Sequence, residues 1–156
     1  NRVYGFINGG YEFSFLRGFN NRAFGGAGIS FRVFRKTNNK LETFFNTLYE
    51  FTEFNEPIVV DGDSSMTLST ARGVLGWTGT HKVFSQKLII THAGKFQQSL
   101  QNLDNYRFEG NVNLTLPIFS VLSVKTGVQY TYENIVLSER QNSDFIWTFG
   151  IVLTNI

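Results

Sequence analysis

From Ala23 to Val33 the odd positions are Ala23, Gly25, Ala27, Ile29, Phe31 and Val33, while the even positions Phe24, Gly26, Gly28, Ser30 and Arg32 are mostly small or polar. This is a period of two, the spacing at which neighbouring side chains fall on opposite faces of a strand. After a Thr37-Asn38-Asn39 turn the alternation resumes, with Leu41, Thr43, Phe45, Thr47, Tyr49 and Phe51 against Glu42, Phe44, Asn46, Leu48, Glu50 and Thr52. Further on, Tyr106, Phe108, Val112, Leu114 and Leu116 alternate with Arg107, Glu109, Asn111, Asn113 and Thr115. Leu122, Val124, Val128, Tyr130 and Tyr132 alternate with Ser123, Lys125, Gly127, Gln129 and Thr131, and Phe145, Trp147, Phe149, Ile151 and Leu153 with Asp144, Thr148, Gly150 and Thr154. Weaker segments span 2–16, 66–80 and 86–98, so about eight strands are expected in one domain over residues 1–156.

The links between these segments alternate in length. Residues 17–21, 55–65, 99–105 and 134–142 are polar or irregular, and between them lie the short links 37–39, 81–85 and 117–119. Long loops at one end and tight turns at the other predict an antiparallel up-and-down transmembrane β-barrel. The segments also exceed the roughly 9 to 11 residues that a tilted strand needs to cross a bilayer.

Alternation is shared with soluble lipid-binding barrels, which turn the apolar face inward, so the polar face has to decide. A water-facing strand surface ordinarily carries abundant Lys and Glu. Charged residues here are 17% of the chain, against roughly a quarter in ordinary soluble domains, and the polar rows are Gly, Ser, Thr, Asn and Gln with isolated charges. Taken as a lumen, those rows hold Arg22, Arg32, Arg72, Arg107 and Lys125 against Glu12, Glu42, Glu50, Glu109 and Asp144. Such a balanced set suits a closed interior filled by paired side chains. Arg32 and Glu42 flank the 37–39 turn on one face and are expected to touch, and Glu109 and Lys125 form a diagonal pair across the 117–119 link. Tyr49, Trp77, Tyr130, Tyr132 and Trp147 lie on the apolar face, placed near strand ends as an aromatic girdle at the headgroup level.

Little in the chain points to catalysis. With 0 cysteines there are no disulfides, thiolate metal sites or cysteine nucleophiles. A formal net charge of +2, with no basic cluster longer than Arg35-Lys36, argues against nucleic acid. Gly25, Gly26 and Gly28 resemble a phosphate loop, but Ile29 to Val33 continue as a strand instead of opening a helix. His81 falls in a link, and His92 shares the apolar parity of Leu88, Ile90 and Phe96 with no nearby acid to orient it. Asp61-Gly62-Asp63-Ser64-Ser65 has part of a calcium loop's acidic spacing without its closing Glu, and reads as a solvated turn. Glu53, Glu56, Asp61, Asp63, Asp104, Glu133 and Glu139 make the long loops acidic, whereas Lys36, Lys40 and Lys82 sit at the short turns. No enzyme activity, cofactor or metal site is therefore expected.

Tyr4-Gly5-Phe6 through Arg17, Asn21-Arg22 with Gly25-Gly26-Ala27-Gly28, Asp104-Asn105-Tyr106-Arg107, Val124 to Tyr132 and Ser143-Asp144-Phe145 with Phe149-Gly150 run in this order over most of the chain. Together they resemble the salt-induced outer membrane protein family, bacterial barrels of undefined function. The resemblance implies a bacterial outer-membrane location, a non-catalytic role in envelope integrity or stress response, and membrane lipid and lipopolysaccharide as partners. The alternatives are an accessory subunit of a larger outer-membrane complex and a soluble lipid-binding barrel. Members of that family are longer, and many outer-membrane barrels end on an aromatic residue where this chain has Thr154-Asn155-Ile156, so further strands at either end are expected.

Overall fold

The computed structural model describes residues 2–15, 17–60, 62–135 and 141–153. They form β1 (Val3–Ser14), β2 (Phe19–Lys36), β3 (Asn39–Val60), β4 (Asp63–Val83), β5 (Leu88–Ser99), β6 (Tyr106–Phe119), β7 (Leu122–Glu133) and β8 (Ser143–Leu153). The eight strands make one sheet in chain order with every neighbouring pair antiparallel. The protein is thus the all-β, up-and-down architecture that the alternation predicts.

Register follows the two-residue period. Ala27 pairs with Thr47, Thr47 with Gly73, and Asn111 with Gln129, so like faces meet across each ladder. The sheet curls with its polar face inside. Ser30, Asn46, Glu50, Thr52, Thr70, Arg72, Arg107 and Thr131 are buried, while Ile29, Phe31, Val33, Phe45, Leu75 and Leu114 are exposed. At the long-loop end Phe19, Phe54 and Ile58 pack together, with Val60, Leu68 and Ile135 against them, and plug the interior.

Three links differ from the sequence reading. The 55–65 segment is not an irregular loop: β3 runs on through Ile58, Val59 and Val60, which pair with Ser65, Ser64 and Asp63. Three β-branched residues favour the extended chain, and the register irregularity between Glu53 and Ile58 keeps Pro57 out of the ladder. What remains of the calcium-like loop is a tight turn at Gly62, whose φ of 89° suits glycine; Asp61 lies outside the described residues. Likewise β6 carries Pro117 to an irregularity between Pro117 and Phe119, moving that turn to residues 120–121. The 81–85 link shifts to 84–87, where Phe84, Ser85 and Gln86 all take left-handed φ values of 51°, 55° and 69°. His81 therefore belongs to β4, not to a turn.

Closure is incomplete. β1 and β8 end the sheet without pairing to each other, and nowhere come close enough to do so. Among the described residues one ion pair spans this seam, Arg17 Nε to Asp144 Oδ2 at 3.6 Å, at the long-loop end.

Candidate functional site

Below the plug, six strands deliver charged side chains to one network in the lumen. Glu50 of β3, 2% exposed, meets Arg72 of β4 at 3.2 Å, Arg107 of β6 at 3.1 Å and Arg22 of β2 at 3.7 Å. Glu133, the last residue of β7, accepts from Arg107 at 2.6 Å and from Arg22 at 2.8 Å, which ties β2 to β7 across the interior. Arg22 also reaches Glu12 of β1 at 3.1 Å and Thr52 at 3.1 Å, and its guanidinium lies 4.0 Å over the Phe19 ring of the plug. Asn105 accepts from Arg72 at 2.9 Å. Taking such charges out of water is costly, and geometry this dense is what offsets it. Each carboxylate is engaged by at least one guanidinium group, while Glu133 Oε2 and Arg107 Nε are buried without a hydrogen-bond partner among the described residues, and the cluster fills this end of the lumen.

Beside the cluster Phe6, Phe24, Phe44, Leu48 and Val74 bring an apolar layer into the lumen, with Phe6 and Phe44 edge to face at 6.1 Å. This layer borders a cavity of about 510 Å³. Asn46, 2% exposed, donates to Asn8 at 3.0 Å, while its Oδ1 has no partner among the described residues. Lys95 and Glu109 pair at 3.1 Å on the cavity wall, and Gln97 donates to Glu109 at 3.2 Å. Nearer the short turns, Arg32 meets Glu42 at 3.1 Å, and Tyr4 donates to Glu42 at 2.8 Å.

The structure brings Glu12, Arg22, Glu50, Arg72 and Arg107 into one network and joins Arg32 to Glu42. It does not join Glu109 to Lys125: Glu109 faces Lys95 and Thr131, whereas Lys125 is exposed opposite Thr115. Asp144 sits at the seam with Arg17, half exposed. The Arg32–Glu42 pair, with side chains 27% and 29% exposed, is not in a dry interior. Glu133 belongs to the lumen, not to the loop acids, and Lys95 was absent from the inferred network. Their parity was the available signal, since Glu133 follows Thr131 and Lys95 precedes Gln97 on the inward row. Glu139 lies outside the described residues.

On the outer face Tyr49, Trp77, Tyr130 and Trp147 are exposed, and Tyr132 stacks on Tyr106 at 5.7 Å. They do not form one ring at the strand ends. Tyr49 sits opposite Gly25 and Ala71, and Trp147 opposite Val128, both in strand interiors. His92 also faces outward: Trp77 Nε1 donates to its Nδ1 at 3.2 Å, and its Nε2 meets His81 Nε2 at 3.1 Å. His81 Nδ1 in turn meets Asn39 at 2.9 Å, so both imidazoles are spoken for by hydrogen bonds. In the glycine-rich stretch of β2, a Cβ on Gly26 would strike the backbone of Thr47 and Leu48, and one on Gly28 that of Phe45 and Asn46. Close approach of β2 to β3, not phosphate binding, accounts for these residues. Among the described residues no group of three His, Asp or Glu side chains is placed to hold a metal ion.

The family model described as protein of unknown function, DUF481, matches residues 1–154. No curated protein and no solved structure matches the chain.

Proposed function

We propose that this chain, which belongs to the DUF481 family of unknown function, is a transmembrane β-barrel protein of a bacterial outer membrane with a structural, non-catalytic role in the envelope. The observation that carries the reading is the inverted placement of its two faces. Arg22 and Arg72 are each 1% exposed, while Ile7, Leu75, Trp147 and Phe149 are 60–88% exposed on the opposite face. A protein in water does not sustain so extensive an apolar exterior, and a lipid-facing sheet requires it. The soluble lipid-binding alternative needs the reverse arrangement. The accessory-subunit alternative shares this inverted arrangement and differs only in having a protein partner.

Trp77 and Trp147 are the only tryptophans, and both point outward. After reconstitution into phosphatidylcholine vesicles their emission should be quenched strongly by brominated acyl chains and weakly by aqueous iodide. Quenching by iodide alone would defeat the membrane reading. Native mass spectrometry of the chain extracted from outer membranes in mild detergent separates a lone barrel from a subunit.

A further inference from the structure

We propose that the lumen cavity is a binding site for a single-chain anionic amphiphile, a medium-chain fatty acid in its simplest form, taken in tail first through the short-turn end and held by cations at that rim. The site rests on the membrane reading above only through the inward polar face that both require.

Charge is spread unevenly along the lumen. Arg22, Arg32, Arg72, Lys95 and Arg107 each meet a carboxylate. Arg35, Lys40, Lys82 and Lys125 make no ion pair among the described residues, and register puts all four on the inward row at the short-turn end. Lys40 follows Glu42 along that row of β3 and stands opposite Arg35 and Thr80. Lys82 is the next inward residue of β4 after Thr80; it pairs with Ile89, Ile89 with Thr115, and Thr115 with Lys125. Glu42, the acid of this rim, is already taken by Arg32 and Tyr4. Like charges directly opposite each other, as Arg35 and Lys40 are, destabilise a ladder, and an anion seated among them relieves that cost.

Beneath the rim the cavity is arranged to take a hydrocarbon chain. Exposure falls along the inward rows from rim to interior: on β3 from exposed Lys40 through half-buried Glu42 to buried Asn46 and Glu50, and on β4 from exposed Thr78 to buried Val74 and Arg72. The way in from water is therefore axial, through the short-turn end, with the charge cluster and the plug at the far end. Phe6, Phe24, Phe44, Leu48 and Val74 line the cavity between them. Its volume of about 510 Å³ lies within the roughly 300–1,000 Å³ of small-molecule sites. Leu48 and Lys40 are eight positions apart on β3, roughly 26 Å at the usual strand rise and less along the axis of a tilted barrel. A medium-length acyl chain laid on the apolar layer thus brings its head group to the rim cations. Glu42 and Glu109 on the wall are matched by Arg32 and Lys95, so the field at the mouth is positive and selects an anionic head.

Photolabelling tests the site. The protein in nanodiscs of zwitterionic lipid, at a mildly alkaline pH that ionises the carboxyl, is irradiated with dodecanoic acid carrying a diazirine at its tail, and the labelled residues are mapped by mass spectrometry. Label should fall on Phe24, Phe44 and Leu48 of the inward rows, be displaced by unlabelled dodecanoate, and resist the same concentration of 1-dodecanol. With circular dichroism matching the parent, Lys40→Gln with Lys82→Gln should cut lumen labelling at least tenfold. Lys36→Gln with Lys87→Gln, which removes as much charge from the outward row and the 84–87 turn, should change it by no more than about twofold. Label on outward residues such as Phe45 and Leu75 alone, equal displacement by 1-dodecanol, or an equal loss in both double variants would each overturn the site. Bromolipid quenching of Trp77 and Trp147 without lumen label removes the site and keeps the membrane reading; lumen label in a chain that bromolipids do not quench keeps the site and removes the membrane reading.

Discussion

Replacing Glu50 by Gln removes the carboxylate at which Arg22, Arg72 and Arg107 converge, at 3.7, 3.2 and 3.1 Å. Arg22 and Arg107 keep Glu133, but Arg72 keeps only the amide and carbonyl of Asn105. Losing one partner of a buried ion pair costs about 3–5 kcal/mol, because the other charge stays desolvated, and with Arg72 1% exposed the upper half of that range applies. Glu42→Gln is the comparison. Its pair with Arg32 has a similar distance, 3.1 Å, but both side chains are more than a quarter exposed, so about 1 kcal/mol or less is expected. Equilibrium urea unfolding in detergent micelles, followed by circular dichroism, measures both losses. Adding Arg72→Met to Glu50→Gln should recover part of the damage, since it removes the stranded cation. If Glu50→Gln costs no more than Glu42→Gln, or if the double variant is strictly additive, the lumen is wet and the cluster is not a buried network.

Leu114→Arg, at an outward position in the interior of β6, should lower stability in bilayers by about 2–4 kcal/mol, read from urea titration of vesicle-inserted protein; an unchanged midpoint would mean that this face does not meet hydrocarbon. Planar bilayers containing the protein should show no steady conductance, because the Phe19–Phe54–Ile58 plug and the arginine–glutamate cluster block the lumen at one end. Reproducible single-channel steps would overturn that reading.

The strands with clean alternation were legible because a period of two is a local property: from Ala23 to Val33, Leu41 to Thr52, and Tyr106 to Leu116, each residue's face follows from its neighbours. Strand ends were less so. Pro57 marks a break on paper, yet β3 absorbs it in an irregularity and continues through Ile58 to Val60, and such irregularities depend on the partner strand. Adjacent-strand partners such as Arg32 and Glu42 could be read across a short turn. Glu109 could not, because its partner Lys95 lies on the preceding strand β5, beyond the turn that the sequence made visible. Cross-lumen partners were out of reach altogether. Which residues of β2 and β7 meet depends on how the whole sheet curls and staggers, and no local pattern encodes that.

Arg22 and Glu133 are 111 positions apart in sequence, and the network around them draws on β1, β2, β3, β4, β6 and β7. It cannot assemble while the chain is still being laid down hairpin by hairpin. Loop closure over such a span delays its formation, and until then each of these charges must keep water about it. A nascent sheet is accordingly hydrated along the inner row while its outer row is already apolar, and shedding that water is among the last events of maturation. Contacts made so late contribute little to the folding transition state and much to the barrier against leaving the native one. The cluster therefore governs how long the finished protein lasts more than how fast it is made.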